Sequence, residues 1–271
     1  MTDNQLHRVG NILRNYSKLN IRQVISSRKT WLLCLITIGV LLLSDAMLGQ
    51  NRMYAGTVGG WDLLLYMTAN PYYHLFLYLP FFLLYCNEIC KTDMRHYIAI
   101  RLESRLIWLF SKIVVLIVVG TWYVLVYLLI WLIGSFALRG YDATWMLNYE
   151  FGYPLYIKPI EAFVSVAVRH FLSVWLISMI YLTTIGYSNK NHTTKAFVVC
   201  FSLLFFNKII NGHFIMQWLP VLYFSSDYVN LIQKNQNAGE FIMQYNGGLL
   251  AFIIGLITLL SLTSRKIKFA E

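Results

Sequence analysis

Six stretches of this chain are apolar enough, and long enough, to cross a bilayer: residues 31–48, 71–90, 112–136, 162–187, 196–216 and 247–264. A helix needs about 17–25 residues to cross a hydrocarbon core about 30 Å thick, and each stretch supplies them. Inside hydrocarbon every backbone N–H and C=O must find its partner within the chain, which commits such segments to helix. The expected fold class is therefore all-α integral membrane, with six transmembrane helices in a single transmembrane domain over 1–271.

The basic residues fix an expected orientation. Six precede the first stretch (Arg8, Arg14, Lys18, Arg22, Arg28 and Lys29), and five lie between the second and third (Lys91, Arg95, Arg101, Arg105 and Lys112). Lys190 and Lys195 lie between the fourth and fifth, and Arg265, Lys266 and Lys268 follow the sixth. Sixteen of the 22 thus share one side, while Arg52, Arg139, Lys158, Arg169, Lys208 and Lys234 are left for the rest. Cytoplasmic loops carry the excess of Lys and Arg, so both termini are expected in the cytoplasm.

Composition excludes an ordinary soluble domain: mean hydropathy is +0.57 and only 13% of residues are charged. The net charge of +10 could suggest nucleic acid, but it is concentrated on one membrane face. There it suits anionic lipid headgroups or an acidic cytoplasmic partner, and no nucleic acid is expected. The four cysteines form no disulfide framework. Cys34 and Cys200 fall within spans, and Cys86 and Cys90 stand one helical turn apart, a poor disulfide geometry on a reducing side. A metal site of Cys86, Cys90 and His96 lacks a fourth ligand, so packing is the expected role of the thiols and no metal is expected. No cleavable signal peptide is expected, because the polar, basic stretch ahead of the first span is too long for an n-region.

Residues 1–28 place Leu6, Val9, Leu13 and Tyr16 on one helical stripe, with Arg8, Arg14, Lys18 and Arg22 around the remainder. That spacing describes a cationic amphipathic helix lying in the inner interface, the alternative being an unstructured basic tail. The segment before the second span, with Gly56, Gly59, Gly60 and Trp61, reads as an outer loop, and Tyr72, Tyr73 and Tyr78 are expected near the outer interface. Pro80 stands inside a span, where a proline kinks the helix or leaves a carbonyl free. Residues 91–111 intersperse Arg95, Arg101, Glu103 and Arg105 with Tyr97, Ile98, Ile100, Leu102 and Ile107. A loop that only needed to stay in water would not carry this apolar content; a short helix seated in a partner's groove would.

Arg169 lies about two turns into the fourth span from Glu161. An intramembrane arginine is costly, and two readings stand: a functional group in a pathway, or a side chain snorkelling to the surface. Residues 212–246 open with an apolar run broken by Pro220 and return through Gln233, Lys234, Asn235 and Gln236, which fits an outer re-entrant or interfacial hairpin. His74 and His170 read either as interior histidines or as groups facing a cavity.

Catalytic motifs are missing. The chain has no Gly-x-x-x-x-Gly-Lys-[Ser/Thr] loop and no His-Glu-x-x-His. Gly134-Ser135 reads as a packing pair rather than a nucleophile. No catalytic residue and no bound cofactor are expected in this chain.

The whole plan resembles the permease subunits of type 2 ABC exporters. Glu88 at the end of the second span, with Ser104-Arg105 and then Lys112, is similar to that family's Glu…Ser-Arg…Lys pattern, and Trp218-Leu-Pro-Val-Leu-Tyr223 to its proline-aromatic motif. The glycine common after the Glu is absent, Leu102-Glu103 stands where proline is frequent, and Ser111 replaces a frequent glycine. The resemblance implies a permease that pairs with a second permease, identical or homologous, and with two copies of a separate ABC ATPase subunit that holds the ATP. It implies a coupling helix around 92–103 and an ATPase-coupling set of Arg95, Tyr97, Ile98, Ile100, Arg101, Glu103, Ser104, Arg105 and Lys112. Glu88, Pro80, Arg169 and Pro220 become candidates for a gate or pathway, with an amphipathic peptide, drug or lipid-like molecule as cargo. The implied location is a bacterial plasma membrane, crossed several times. The competing reading is a non-transporting six-span protein such as an immunity, sensor or assembly factor. An intramembrane enzyme is disfavoured by the missing catalytic set.

Overall fold

The structure, a computed structural model, describes residues 14–15, 18, 21–22, 28–50, 59–69, 73–90, 105–141, 158–187, 191–209 and 238–263. Among the described residues every regular element is helical and no strand occurs. Seven α-helices follow in order: α1 (Arg28–Gln50), α2 (Gly60–Ala69), α3 (Leu79–Ile89), α4 (Arg105–Arg139), α5 (Pro159–Tyr187), α6 (His192–Ile209) and α7 (Ala238–Thr263). A π-helical turn, His74–Tyr78, runs directly into α3. Of the N-terminal segment, residues 14–15, 18 and 21–22 are helical, with Arg14, Lys18 and Arg22 exposed and Ile21 partly buried against the core.

Three helices are long and apolar enough to cross a membrane, over Thr30–Met47, Trp108–Arg139 and Pro159–Ile185, and Phe76–Ile89 and Asn246–Leu262 are shorter apolar stretches. The three long stretches overlap the sequence-predicted spans 31–48, 112–136 and 162–187, and the two shorter ones fall on parts of 71–90 and 247–264. The other, 196–216, begins inside α6, and its residues 210–216 lie outside the described residues. The apolar face of α1 stays uncovered: Trp31, Leu35, Leu43 and Met47 are all exposed. A helix apolar all round is at home in a lipid-like surrounding rather than in water.

α4 and α5 pack side by side at the centre. α1, α2 and α3 lean on α4, and α5 is flanked by α6 and α7. Lipid tails are as apolar as leucine, so close packing and interhelical hydrogen bonds carry helix association in a membrane. Gly120 of α4 allows the central approach: a Cβ there would overlap the Val174 side chain of α5. Gly134 does the same for α1, where a Cβ would overlap Leu41, and Ser135 is fully buried beside it. At the end of α4 the chain turns through Gly140 at φ +78°, a conformation glycine adopts without steric cost. Nearby, Arg139 Nε donates to Asp45 Oδ1 at 2.5 Å and ties α4 to the end of α1.

One sequence expectation is corrected here. Residues 60–69 read as part of an outer loop, but they form α2, a ten-residue helix whose Leu63, Leu64 and Met67 are fully buried. Asp62 starts it, accepting the Gly59 N–H on Oδ2 at 3.0 Å. Trp61 seats it at the α4 terminus, edge-on to Phe136 at 4.9 Å between ring centroids. Glycines on one side and Asn70-Pro71 on the other punctuate a run too short to span, which is why periodicity alone reads it as a connection.

Candidate functional site

Three groups of polar residues stand in this apolar body. The first is the root of the segment 91–104 that joins α3 to α4. Lys112, only 2% exposed, turns inward and donates to the carbonyl oxygen of Ile89. An ammonium at a helix C-terminus meets carbonyls with no partner in their own helix and the negative end of the helix dipole. Ser111 Oγ donates to the Trp108 carbonyl at 2.7 Å, and the Cys90 N–H to the Cys86 carbonyl at 3.0 Å, so both helix ends are tied down. Glu88 is half-buried in the last turn of α3. Cys86 and Cys90 are buried free thiols. Of the sequence-predicted coupling set, Arg95, Tyr97, Ile98, Ile100, Arg101, Glu103 and Ser104 lie outside the described residues, as does His96, and Arg105 opens α4.

The second group lies midway along α4 and was missed by sequence reasoning. Tyr123, Tyr127 and Trp131 recur at intervals of four on α4 and are buried, the two tyrosines facing Tyr78 of the π-turn and Trp131 facing Tyr73. Tyr123 Oη donates to the Tyr78 carbonyl at 2.8 Å, and Tyr78 Oη donates to the His170 carbonyl of α5 at 3.2 Å. His74 and His170, both buried, lie 5.6 Å apart between ring centroids. Tyr78 is thus buried inside the helical body.

Pro80 explains the wide turn. It brings no N–H to the ladder and its ring crowds the preceding turn. The backbone answers by opening to i→i−5 pairing, the Leu79 N–H reaching the His74 carbonyl. Such insertions collect at functional sites and break the rigidity of a helix. Further hydroxyl bonds fasten the two sides: Ser44 to Tyr73 at 2.6 Å and Tyr85 to Thr30 at 2.8 Å, both joining α1 to this segment. The i, i+4, i+8 spacing of Tyr123, Tyr127 and Trp131 was readable in the sequence; the helix they face was not.

The third group centres on Arg169, 2% exposed, whose Nη1 donates to Asn246 Oδ1 of α7 at 3.4 Å. Beside it a cleft of about 300 Å³ opens between α5 and α7, lined by Ile160, Glu161, Val164, Ser165, Val168 and Asn246. Pro220, the remaining pathway candidate, lies outside the described residues. Among the described residues no three His, Cys, Asp or Glu side chains converge as metal ligands.

Compared with known protein families, with curated proteins and with solved structures, the chain has no match.

Proposed function

We propose that this chain is the membrane-spanning permease subunit of a type 2 ABC exporter, whose separate ATPase subunit grasps the segment 91–111. In this reading the chain crosses the membrane six times, by α1, the unit made of α2, the π-turn and α3, then α4, α5, α6 and α7. Both termini are cytoplasmic, residues 1–28 form an amphipathic helix in the inner interface, and 212–246 form an outer hairpin. The concentration of Lys and Arg at the α3–α4 connection, the N-terminal segment and the tail supports that orientation.

The observation that carries the reading is the bond from Lys112 to the Ile89 carbonyl. It closes the base of the connection, so that a push on residues 91–104 moves α3 and α4 together instead of being absorbed as slack. Above that base the π-turn supplies a joint in the second crossing, where outer and inner segments change their relative angle. The apolar residues Tyr97, Ile98 and Ile100 supply contact area for the ATPase, and Arg95, Arg101 and Arg105 its orientation, since charge complementarity governs specificity more than affinity. Two permeases, identical or homologous, face each other over two ATPases; ATP is bound and split there and not on this chain. The cargo is an amphipathic peptide, drug or lipid-like molecule exported from a bacterial plasma membrane.

Two measurements test this. Single cysteines placed at positions 98 and 141 of a variant lacking the native thiols are expected to react with an impermeant maleimide from opposite sides, 98 from the cytoplasm. Reaction of 98 from outside sinks the proposal. Reconstitution with an ATPase that co-purifies with this chain is expected to give ATP hydrolysis stimulated by an amphipathic peptide; a rate indifferent to every such cargo favours the non-transporting alternative.

A further inference from the structure

We propose that the cleft between α5 and α7 holds one acyl chain of a phospholipid with a primary-amine headgroup, whose ammonium is taken by Glu161 and whose phosphate is taken by Lys158. The inference rests on the membrane-spanning part of the proposed function and needs nothing of its ATPase.

The cleft has apolar walls and a polar rim. Ile160, Val164 and Val168 recur at intervals of four on α5 and form the wall, in a volume of about 300 Å³. Across from them Asn246 of α7 completes the lining, its Oδ1 engaged by the buried Arg169. That volume lies at the lower end of the range of ligand sites, about 300–1,000 Å³, and suits a chain segment better than a bulky ring system.

The rim stands where the apolar stretch of α5 begins, at Pro159, which is headgroup level for a helix crossing there. Glu161 and Lys158 are exposed, one helical turn apart, and the Lys158 carbonyl accepts the Glu161 and Ala162 N–H groups at 3.0 and 3.1 Å. Lys158 immediately precedes α5 and its carbonyl caps the turn that carries Glu161, so the two opposite charges stand at the same end of the cleft, as the two charges of a phosphoethanolamine require. No ion pair occupies the Glu161 carboxylate among the described residues. An anionic headgroup without an amine would meet that carboxylate as a like charge. A quaternary amine would bring charge but no N–H donor. The primary amine satisfies both the sign and the donor requirement.

The test uses the full chain in non-ionic detergent, offered equal amounts of phosphatidylethanolamine, phosphatidylglycerol and phosphatidylcholine, with retained lipid counted by native mass spectrometry. The wild type is expected to keep one phosphatidylethanolamine about tenfold over the other two, a difference worth one charge-assisted hydrogen bond. Glu161→Gln is expected to erase that preference, and Lys158→Gln to weaken retention of all three. Val164 is 52% exposed, so Val164→Trp fills the cleft without burying new bulk in the core and is expected to remove the bound lipid. Ile160→Trp, at 51% exposure on the same wall, is the second variant should the first lose its monodisperse profile. Glycerophosphoethanolamine, which has the headgroup and no chains, is expected not to displace the lipid. Equal retention of the three lipids by the wild type overturns the headgroup assignment, and unchanged retention in the filled-cleft variants overturns the site. A chain that stays dispersed with no detergent at all would instead overturn the membrane reading beneath it.

Discussion

Lys112, buried near the start of α4, donates its ammonium N–H to the carbonyl oxygen of Ile89, the last residue of α3. Twenty-three positions apart in sequence, the two close the base of the connection on which the proposed mechanism depends.

Lys112→Met keeps the length and apolar stem of the side chain and removes only the donor. It leaves a carbonyl at the buried end of α3 without its cation, at a cost of about 1.5–3 kcal/mol for a charge-assisted bond. Thermal denaturation in detergent is expected to show a melting temperature several degrees lower. A melting temperature equal to wild type would mean that the two helices do not depend on this contact.

Tyr123 and Tyr78 act in series, one donating to the backbone of the other, which in turn donates to His170. Tyr123→Phe and Tyr78→Phe are each expected to cost about 0.6–1.7 kcal/mol, the range measured for interhelical bonds in a membrane. Because they share one network, the double variant is expected to cost less than the sum. Strict additivity in a double-mutant cycle would separate the two bonds and remove the network.

Much of this arrangement was legible in advance. The runs of Leu, Ile, Val and Phe place α1 and α5 within three residues of their observed bounds, and α4 except for two further turns at its start, because hydropathy over some twenty residues outweighs every local signal. The glycine and serine at 134 and 135 were read as packing, and they pack. What escaped was α2, because the nine residues between Gly59-Gly60 and Asn70-Pro71 are a short run bounded by the punctuation of a loop. The tyrosine–histidine cluster escaped for a different reason. Helical spacing tells which residues of α4 share a face, but nothing in the chain tells that the face looks at position 78, or that Arg169 meets an asparagine 77 residues away.

Glycine positions separate tight from open packing. Gly120→Ala forces a Cβ into Val174, an overpacking that is expected to cost about 1–3 kcal/mol. Gly39 of α1 has nothing within 4 Å of a built Cβ, so Gly39→Ala is expected to be neutral or mildly stabilising. Melting temperatures of the two variants measured side by side decide the matter; a reversed order would contradict the α4–α5 packing described above.

The central claim is that the connection between α3 and α4 is seated in a separate ATPase, and affinity purification of the full chain from its own membranes tests it most directly. The expected result is a P-loop ATPase retained in equal amount with the wild type and lost with the Ile98→Asp, Ile100→Asp double variant, while that variant still reaches the membrane. A wild-type chain that brings down no ATPase, or a double variant that keeps it undiminished, would contradict the account.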